Sequence, residues 1–247
     1  MKPVDAHCHI DFEQFDEDRE KILQESKEKL EFLVNAGSSL EHNNSALKLQ
    51  EEYPDLVVAN LGLHPVYKDS YGELEEIKEQ IRDADPAAIG EIGLDHHHVE
   101  DRETREKQEK IFREMIELAE NLEKPVVVHS RDAERKAVEI LKEYSLPEVM
   151  LHCFNGRPEL AEEAVENRMK IGVTTQVLYS NRVQELVKTL ELENILLETD
   201  SPYLYRGERN RPVNVIESSK KISELKNIKQ DEVVDKTTEN ARNLFRR

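Results

Sequence analysis

Six residues of this chain have the types and the placement to hold divalent metal ions: His7, His9, Glu91, His129, His152 and Asp200. Each stands at or near the end of a short apolar run. His7 and His9 are two apart on a strand, so both imidazoles share one face and Cys8 takes the other. Glu91 lies in Gly90-Glu91-Ile92-Gly93-Leu94-Asp95, and a carboxylate ending an apolar run is costly to bury unless paired or bound to metal. His129 follows Val126-Val127-Val128, His152 follows Val149-Met150-Leu151, and Asp200 follows Ile195-Leu196-Leu197-Glu198-Thr199. Four imidazoles and two carboxylates suit two divalent ions with a carboxylate bridging them. Histidines favour Zn²⁺ or Mn²⁺, and the carboxylates are compatible with Mg²⁺. By parity Glu198 shares the strand face of Asp200, and either could project inward. Asp200 lies nearer the strand end, which leaves Glu198 to support the ligands or to line the core.

Three further residues are candidates for substrate contact. His64 ends Gly62-Leu63-His64-Pro65 and either meets substrate or hydrogen-bonds within its loop. Arg131 could grip an anionic group or face water. Asn155, followed by Gly156, binds substrate or only shapes a turn. The run His96-His97-His98 cannot easily converge on one ion from consecutive positions, so a loop is expected there. His42 is expected at the surface.

For these residues to meet, their runs must lie side by side. The strand candidates are Pro3–His9, Glu31–Ala36, Leu56–Leu63, Ala87–Ile92, Pro125–His129, Glu148–His152, Met169–Val173 and Ile195–Thr199. Helical patterns separate them, most clearly at Asp101–Lys124, where Ile111, Met115, Leu118 and Leu122 form a stripe widened by Phe112, Ile116 and Ala119. The tail, Asp231–Arg247, reads as a closing amphipathic helix carrying Val233, Val234, Ala241, Leu244 and Phe245. Eight strand–helix alternations predict a parallel sheet closed as a TIM (β/α)8 barrel, an α/β fold, over residues 1–247 as one domain. An open doubly wound sheet would carry a Gly-rich loop after its first strand, where this chain has His-Cys-His. In a barrel all these strand ends converge on one rim.

The 247 residues include 53 Asp and Glu against 35 Lys and Arg, a net charge of −18. So acidic a surface repels nucleic-acid phosphates over most of its extent, and any such substrate must be held locally by metal ions and a few cations. The two cysteines form no Cys-x-x-Cys, which excludes a zinc ribbon and makes a disulfide framework unexpected. No run approaches the roughly 20 apolar residues of a membrane helix, and the first residues lack a signal-peptide pattern; a cytoplasmic location is expected. No patch announces an obligate protein partner.

Taken in order, Asp5-Ala6-His7-Cys8-His9, Gly62-Leu63-His64-Pro65, Gly90-Glu91-Ile92-Gly93-Leu94-Asp95, Pro125-Val126-Val127-Val128-His129-Ser130-Arg131, His152-Cys153-Phe154-Asn155-Gly156 and Glu198-Thr199-Asp200-Ser201-Pro202-Tyr203-Leu204 resemble the TatD family of metal-dependent hydrolases, within the amidohydrolase-like barrel group. The resemblance implies a TIM barrel with deoxyribonuclease-type activity. It implies that His7, His9, Glu91 and Asp200 hold one divalent ion and that Glu91, His129 and His152 hold the second, with Asp200 and Glu91 catalytic. DNA, with single strands favoured, is then the expected substrate. A carbonyl-bond hydrolase, such as a D-aminoacyl-tRNA deacylase, is the rival the same centre allows, and the acidic surface mildly favours it. Two segments depart from the family pattern. His96-His97-His98 stands where aromatic residues are common, and Arg211 in Asn210-Arg211-Pro212 stands where an acidic or amide residue is common.

Overall fold

In the computed structural model, which describes residues 1–245, the apolar runs form eight strands: β1 (Asp5–Cys8), β2 (Leu33–Ala36), β3 (Val57–Leu61), β4 (Ala88–Gly93), β5 (Val126–His129), β6 (Val149–Leu151), β7 (Met169–Val173) and β8 (Ile195–Leu197). They form one sheet in sequence order, every neighbouring pair parallel. Among the described residues β8 meets β1 through a single parallel bridge, Cys8 to Ser201, just past the end of β8, so the barrel is nearly closed. The seam is locked from outside by Asp5. Its buried carboxylate accepts from Thr199 N at 2.8 Å and from Thr199 Oγ1 at 2.6 Å.

Helices α1 (Arg19–Lys29), α2 (Leu40–Glu52), α3 (Leu74–Ala84), α4 (Arg102–Asn121), α5 (Glu134–Leu141), α6 (Pro158–Glu166), α7 (Asn181–Thr189), α8 (Val215–Lys226) and α9 (Gln230–Phe245) surround the sheet. The expected stripe on α4 buries Phe112, Met115, Ile116, Leu118 and Ala119, while Ile111 and Leu122 sit at its half-buried edges. Asp101 caps its N-terminus by accepting from Thr104 N at 2.8 Å. The closing helix buries Val233, Val234, Ala241, Leu244 and Phe245 as expected; Arg246 and Arg247 lie outside the described residues. No helix of the described residues is long and apolar enough to cross a membrane.

The barrel interior is a small cluster of Val4, Ala6, Val34, Val58, Ala88, Val127, Met150 and Leu196. At its lower end Phe32 and Phe245 meet edge to face, with ring centroids 6.5 Å apart, so α9 plugs the barrel. The upper end is left to polar residues. Two register slips bring them in. Between Asp5 and Cys8, and again between Ile89 and Ile92, one extra residue enters the ladder. Val4 and Ala6 therefore face inward, yet His7 and His9 do too. Likewise Ala88 faces inward and, past the slip, so does Glu91. Such bulges re-aim side chains at barrel rims. The second depends on glycine: a Cβ on Gly62 would lie 2.6 Å from the Gly90 carbonyl carbon, and one on Gly90 would lie 2.8 Å from Val127 O.

Candidate metal centre

Glu91 stands at the middle of the upper rim, 2 % exposed, and its two oxygens face different histidines. Oε2 lies 3.4 Å from His7 Nε2 and 3.6 Å from His9 Nε2. Oε1 lies 3.0 Å from His129 Nδ1, 3.2 Å from His64 Nε2 and 3.7 Å from His152 Nε2. Asp200 completes the ring from the segment that follows β8. Its Oδ1 is 3.5 Å from His9 Nε2, 3.7 Å from His152 Nε2 and 3.8 Å from His7 Nε2. All six expected ligands thus meet. Several triads could hold an ion, among them His7, His9 and Glu91, and His64, Glu91 and His129.

The partners behind each ring decide which nitrogen faces the centre. His9 Nδ1 donates to Ala36 O at 3.1 Å, since a carbonyl can only accept, so Nε2 keeps its lone pair. His152 Nδ1 pairs with Glu198 Oε2 at 2.7 Å, which again frees Nε2 for the centre. Glu198 also accepts from Cys153 N at 2.7 Å, so both of its oxygens are committed. The two inward carboxylates that follow β8 thus divide the work: Asp200 reaches the rim and Glu198 holds His152. His129 is gripped from both sides, Nδ1 by Glu91 and Nε2 by Asp95 Oδ2 at 2.9 Å. His64 differs. Its Nδ1 accepts from Val66 N at 3.2 Å, so Nε2 carries the proton and donates to Glu91. That makes His64 a hydrogen-bond donor facing the cluster in its neutral form rather than a ready ligand.

Charge follows from this geometry. Burial alone would raise the Glu91 pKa, but His64, His152 and His7 around it hold it well below the usual carboxylate range. Burial also opposes ionisation of Asp200, yet His152, His9 and His7 keep its pKa low. His152 loses by burial and gains more from Glu198, Glu91 and Asp200, reaching about 10. His129 loses by burial and gains more from Asp95 and Glu91, reaching about 9. Burial and then His152 lower the pKa of His7.

The donor set fits divalent cations. His7 Nε2 and His9 Nε2 lie only 3.2 Å apart, and the buried His7 Nδ1 has no partner. Two imidazole lone pairs at that distance repel unless a proton or a cation lies between them. Every ion pair that Glu91 and Asp200 make among the described residues is with a histidine. Buried carboxylates in such company are typical of metal sites.

The remaining candidates fall elsewhere. Asn155 turns its amide back onto Cys153 O at 2.9 Å, the turn-shaping alternative. Arg131 is exposed beside His129, and its carbonyl accepts from His96 N. Arg211 pairs with Glu25 of α1 at 2.9 Å. His97 pairs with Asp132, and His98 with Asp95, so the histidine run forms a loop as expected. His42 is half-buried rather than a plain surface residue, its Nδ1 2.7 Å from Asp11 Oδ2. Three supporting residues were not foreseen. Asp95 holds His129 and the histidine loop together. Gln108 of α4 donates to Pro65 O and accepts from Asp95 N, tying two rim loops. It stands four residues before Phe112 in the apolar stripe, and a polar residue at that position was the available signal. Asn210, fully buried, donates to Thr175 Oγ1 and Thr199 O and fixes the segment after β8.

The family model described as TatD related DNase matches residues 4–246. The chain belongs to the TatD family. This TatD-family chain is 36 % identical to a Bacillus subtilis protein named uncharacterized metal-dependent hydrolase YabD, with 98 % of each covered. It is 34 % identical to the human protein named deoxyribonuclease TATDN3, covering 98 % of this chain and 94 % of the human one. The solved structure of YJJV, a TatD homologue from Escherichia coli, matches with a TM-score of 0.88 at 31 % identity, covering 99 % of this chain and 98 % of that one. The description metal-dependent hydrolase, printed for the Bacillus subtilis relative, agrees with a rim whose His, Glu and Asp groups could hold a metal ion.

Proposed function

We propose that this chain is a deoxyribonuclease, an exonuclease favouring single strands, that hydrolyses phosphodiester bonds at the rim cluster. The observation that carries the proposal is Glu91, whose two oxygens divide the histidines into two sets. His7, His9, Glu91 and Asp200 would hold one divalent cation, and Glu91, His129 and His152 a second. A pair of such cations, when bound, supplies Lewis acidity toward a phosphoryl oxygen and brings the pKa of water toward 7. Everything else falls to the chain. Asp200 is 16 % exposed at its side chain, against 2 % for Glu91 and 0 % for Glu198, so it is the carboxylate that reaches entering water. Its pKa, held low, keeps it ionised at neutral pH and able to orient water and accept its proton. His64 Nε2, protonated in the neutral ring, can donate to a substrate oxygen. Glu198 and Asp95 hold the rings of His152 and His129. Arg131, exposed two residues after His129, would meet a flanking phosphate.

Cleavage of an end-labelled single-stranded DNA oligonucleotide, with Mg²⁺, Mn²⁺ or chelator and with Asp200→Ala beside it, tests the reading. A metal-dependent ladder that the variant loses supports it. Intact DNA in a protein that still binds metal removes it and favours ester or amide substrates such as an aminoacyl-tRNA, a reading that the charge of −18 also favours. A cytoplasmic location accompanies either reading.

A further inference from the structure

Beside the candidate metal centre lies a cleft of about 430 Å³, within the size range of small-ligand sites. Its walls carry four rings, Phe12, His42, Tyr67 and Tyr203. Two of them meet rings of the centre, and a third is tied beside it through its backbone. Phe12 stacks on the His9 ring, with centroids 4.5 Å apart and planes at 18°. Tyr67 is 5.9 Å from the His64 ring. Tyr203 N donates to Asp200 O at 2.9 Å. The cleft therefore borders the candidate centre through Phe12 and Tyr67, with Tyr203 anchored next to Asp200.

Its chemistry selects among the parts of a nucleotide. The wall has no Lys or Arg and four acidic residues, Asp11, Glu13, Asp16 and Glu41. Arg19 pairs with Asp16 from outside the wall and His42 with Asp11, yet the wall stays acidic overall and disfavours a phosphate. A neutral planar ring would not, and carboxylates accept from the amino groups on base edges. Tyr203 is 47 % exposed, and it meets Phe12 at 6.4 Å with planes at 73°. Together they form an open corner in which a base can stack on one ring and edge against the other. His42 is braced from behind: Asp11, itself held by Asn35 Nδ2 at 2.9 Å, takes His42 Nδ1 and leaves Nε2 as its free nitrogen.

We infer that this cleft is a nucleobase subsite, which stacks the base of a nucleotide flanking the cleaved bond on Phe12 and Tyr203. The inference rests on the nuclease reading for its biological substrate, but its binding chemistry can be tested apart from it. Stacking on an aromatic side chain is worth about 1–3 kcal/mol per base, roughly a 5- to 150-fold change in an equilibrium or specificity constant. The first arm uses metal-free protein and 2-aminopurine deoxynucleoside, which is uncharged and loses fluorescence on stacking. Quenching by the wild type is expected, weakened about 5-fold or more in Tyr203→Ala and retained in Tyr203→Phe. Phe12→Leu, which keeps an apolar contact on His9, should also weaken it. No quenching, or quenching indifferent to Tyr203→Ala, overturns the subsite.

The second arm compares kcat/KM on a single-stranded oligonucleotide with that on the same strand carrying abasic nucleotides around the cleaved bond, both with Mn²⁺. The variants should lose activity on the first and add little loss on the second, where the ring has nothing to hold. Equal losses on both would mean the rings only support the fold, and the subsite is rejected. Cleavage of neither strand by the wild type refutes the nuclease reading instead, and the fluorescence arm then decides the subsite by itself.

Discussion

Changing Glu198 to Gln alters one proton and almost no volume, so its effect can be worked through atom by atom. Glu198 accepts from His152 Nδ1 and from Cys153 N, each at 2.7 Å. A glutamine has one accepting oxygen and one donating nitrogen. The Cys153 N–H cannot change, so the oxygen goes there and the NH2 faces His152. His152 can then only accept at Nδ1, so the ring gives up its Nδ1 proton and keeps the one on Nε2. That nitrogen lies 3.7 Å from Glu91 Oε1 and 3.7 Å from Asp200 Oδ1, where a lone pair is needed for a cation. Loss of such an outer partner typically lowers metal affinity about 10- to 100-fold, or roughly 1.4–2.7 kcal/mol. Calorimetric titration with Mn²⁺ reads the affinity, and thermal melting of the metal-free protein shows that the fold is kept. Gly172→Ala should give the same loss from the other side, because its Cβ would lie 2.5 Å from Glu198 Oε1. A well-folded Glu198→Gln with unchanged Mn²⁺ affinity would refute the reasoning.

The pKa values of about 9 for His129 and about 10 for His152 mean that both rings are protonated at pH 7 before metal enters. Cation binding should therefore release protons and tighten as pH rises toward 9–10; titration heats identical in two buffers of different ionisation enthalpy would contradict this. Gly62→Ala drives a Cβ into the β4 backbone beside Glu91, so it should cost about 1–3 kcal/mol, a Tm loss of at least a few degrees in a chain this long, and weaken Mn²⁺ binding as well. His97→Ala, removing an exposed ring that pairs with the exposed Asp132 and meets the His98 ring edge-on, should leave Mn²⁺ affinity within about twofold; a larger loss would place the histidine loop in the site.

The barrel was legible because each strand is an apolar run followed by an amphipathic helix, and strand order then follows from parallel βαβ connections. The candidate ligands were legible as a cluster because a histidine or carboxylate closing such a run has few other uses. What alternation does not show is which face is inward. In β1 strict alternation puts Ala6 and His7 on opposite sides, yet both face the interior because the register slips between Asp5 and Cys8. The same holds for Ala88 and Glu91 in β4. The choice between Asp200 and Glu198 needed the atoms behind His152. Asp95, Gln108 and Asn210 act by holding other residues, and the partners they hold lie far away in the chain. His42 read as a surface residue because its partner, Asp11, is brought to it only by the fold.

The central claim is that Glu91 joins two cation positions. Counting the Mn²⁺ ions bound per chain by wild type and by Glu91→Gln, in one calorimetric titration each, tests it most directly. The account predicts two ions for the wild type and weakened binding at both positions in the variant. A single ion in the wild type, or a variant that loses one position and keeps the other at full affinity, would contradict it.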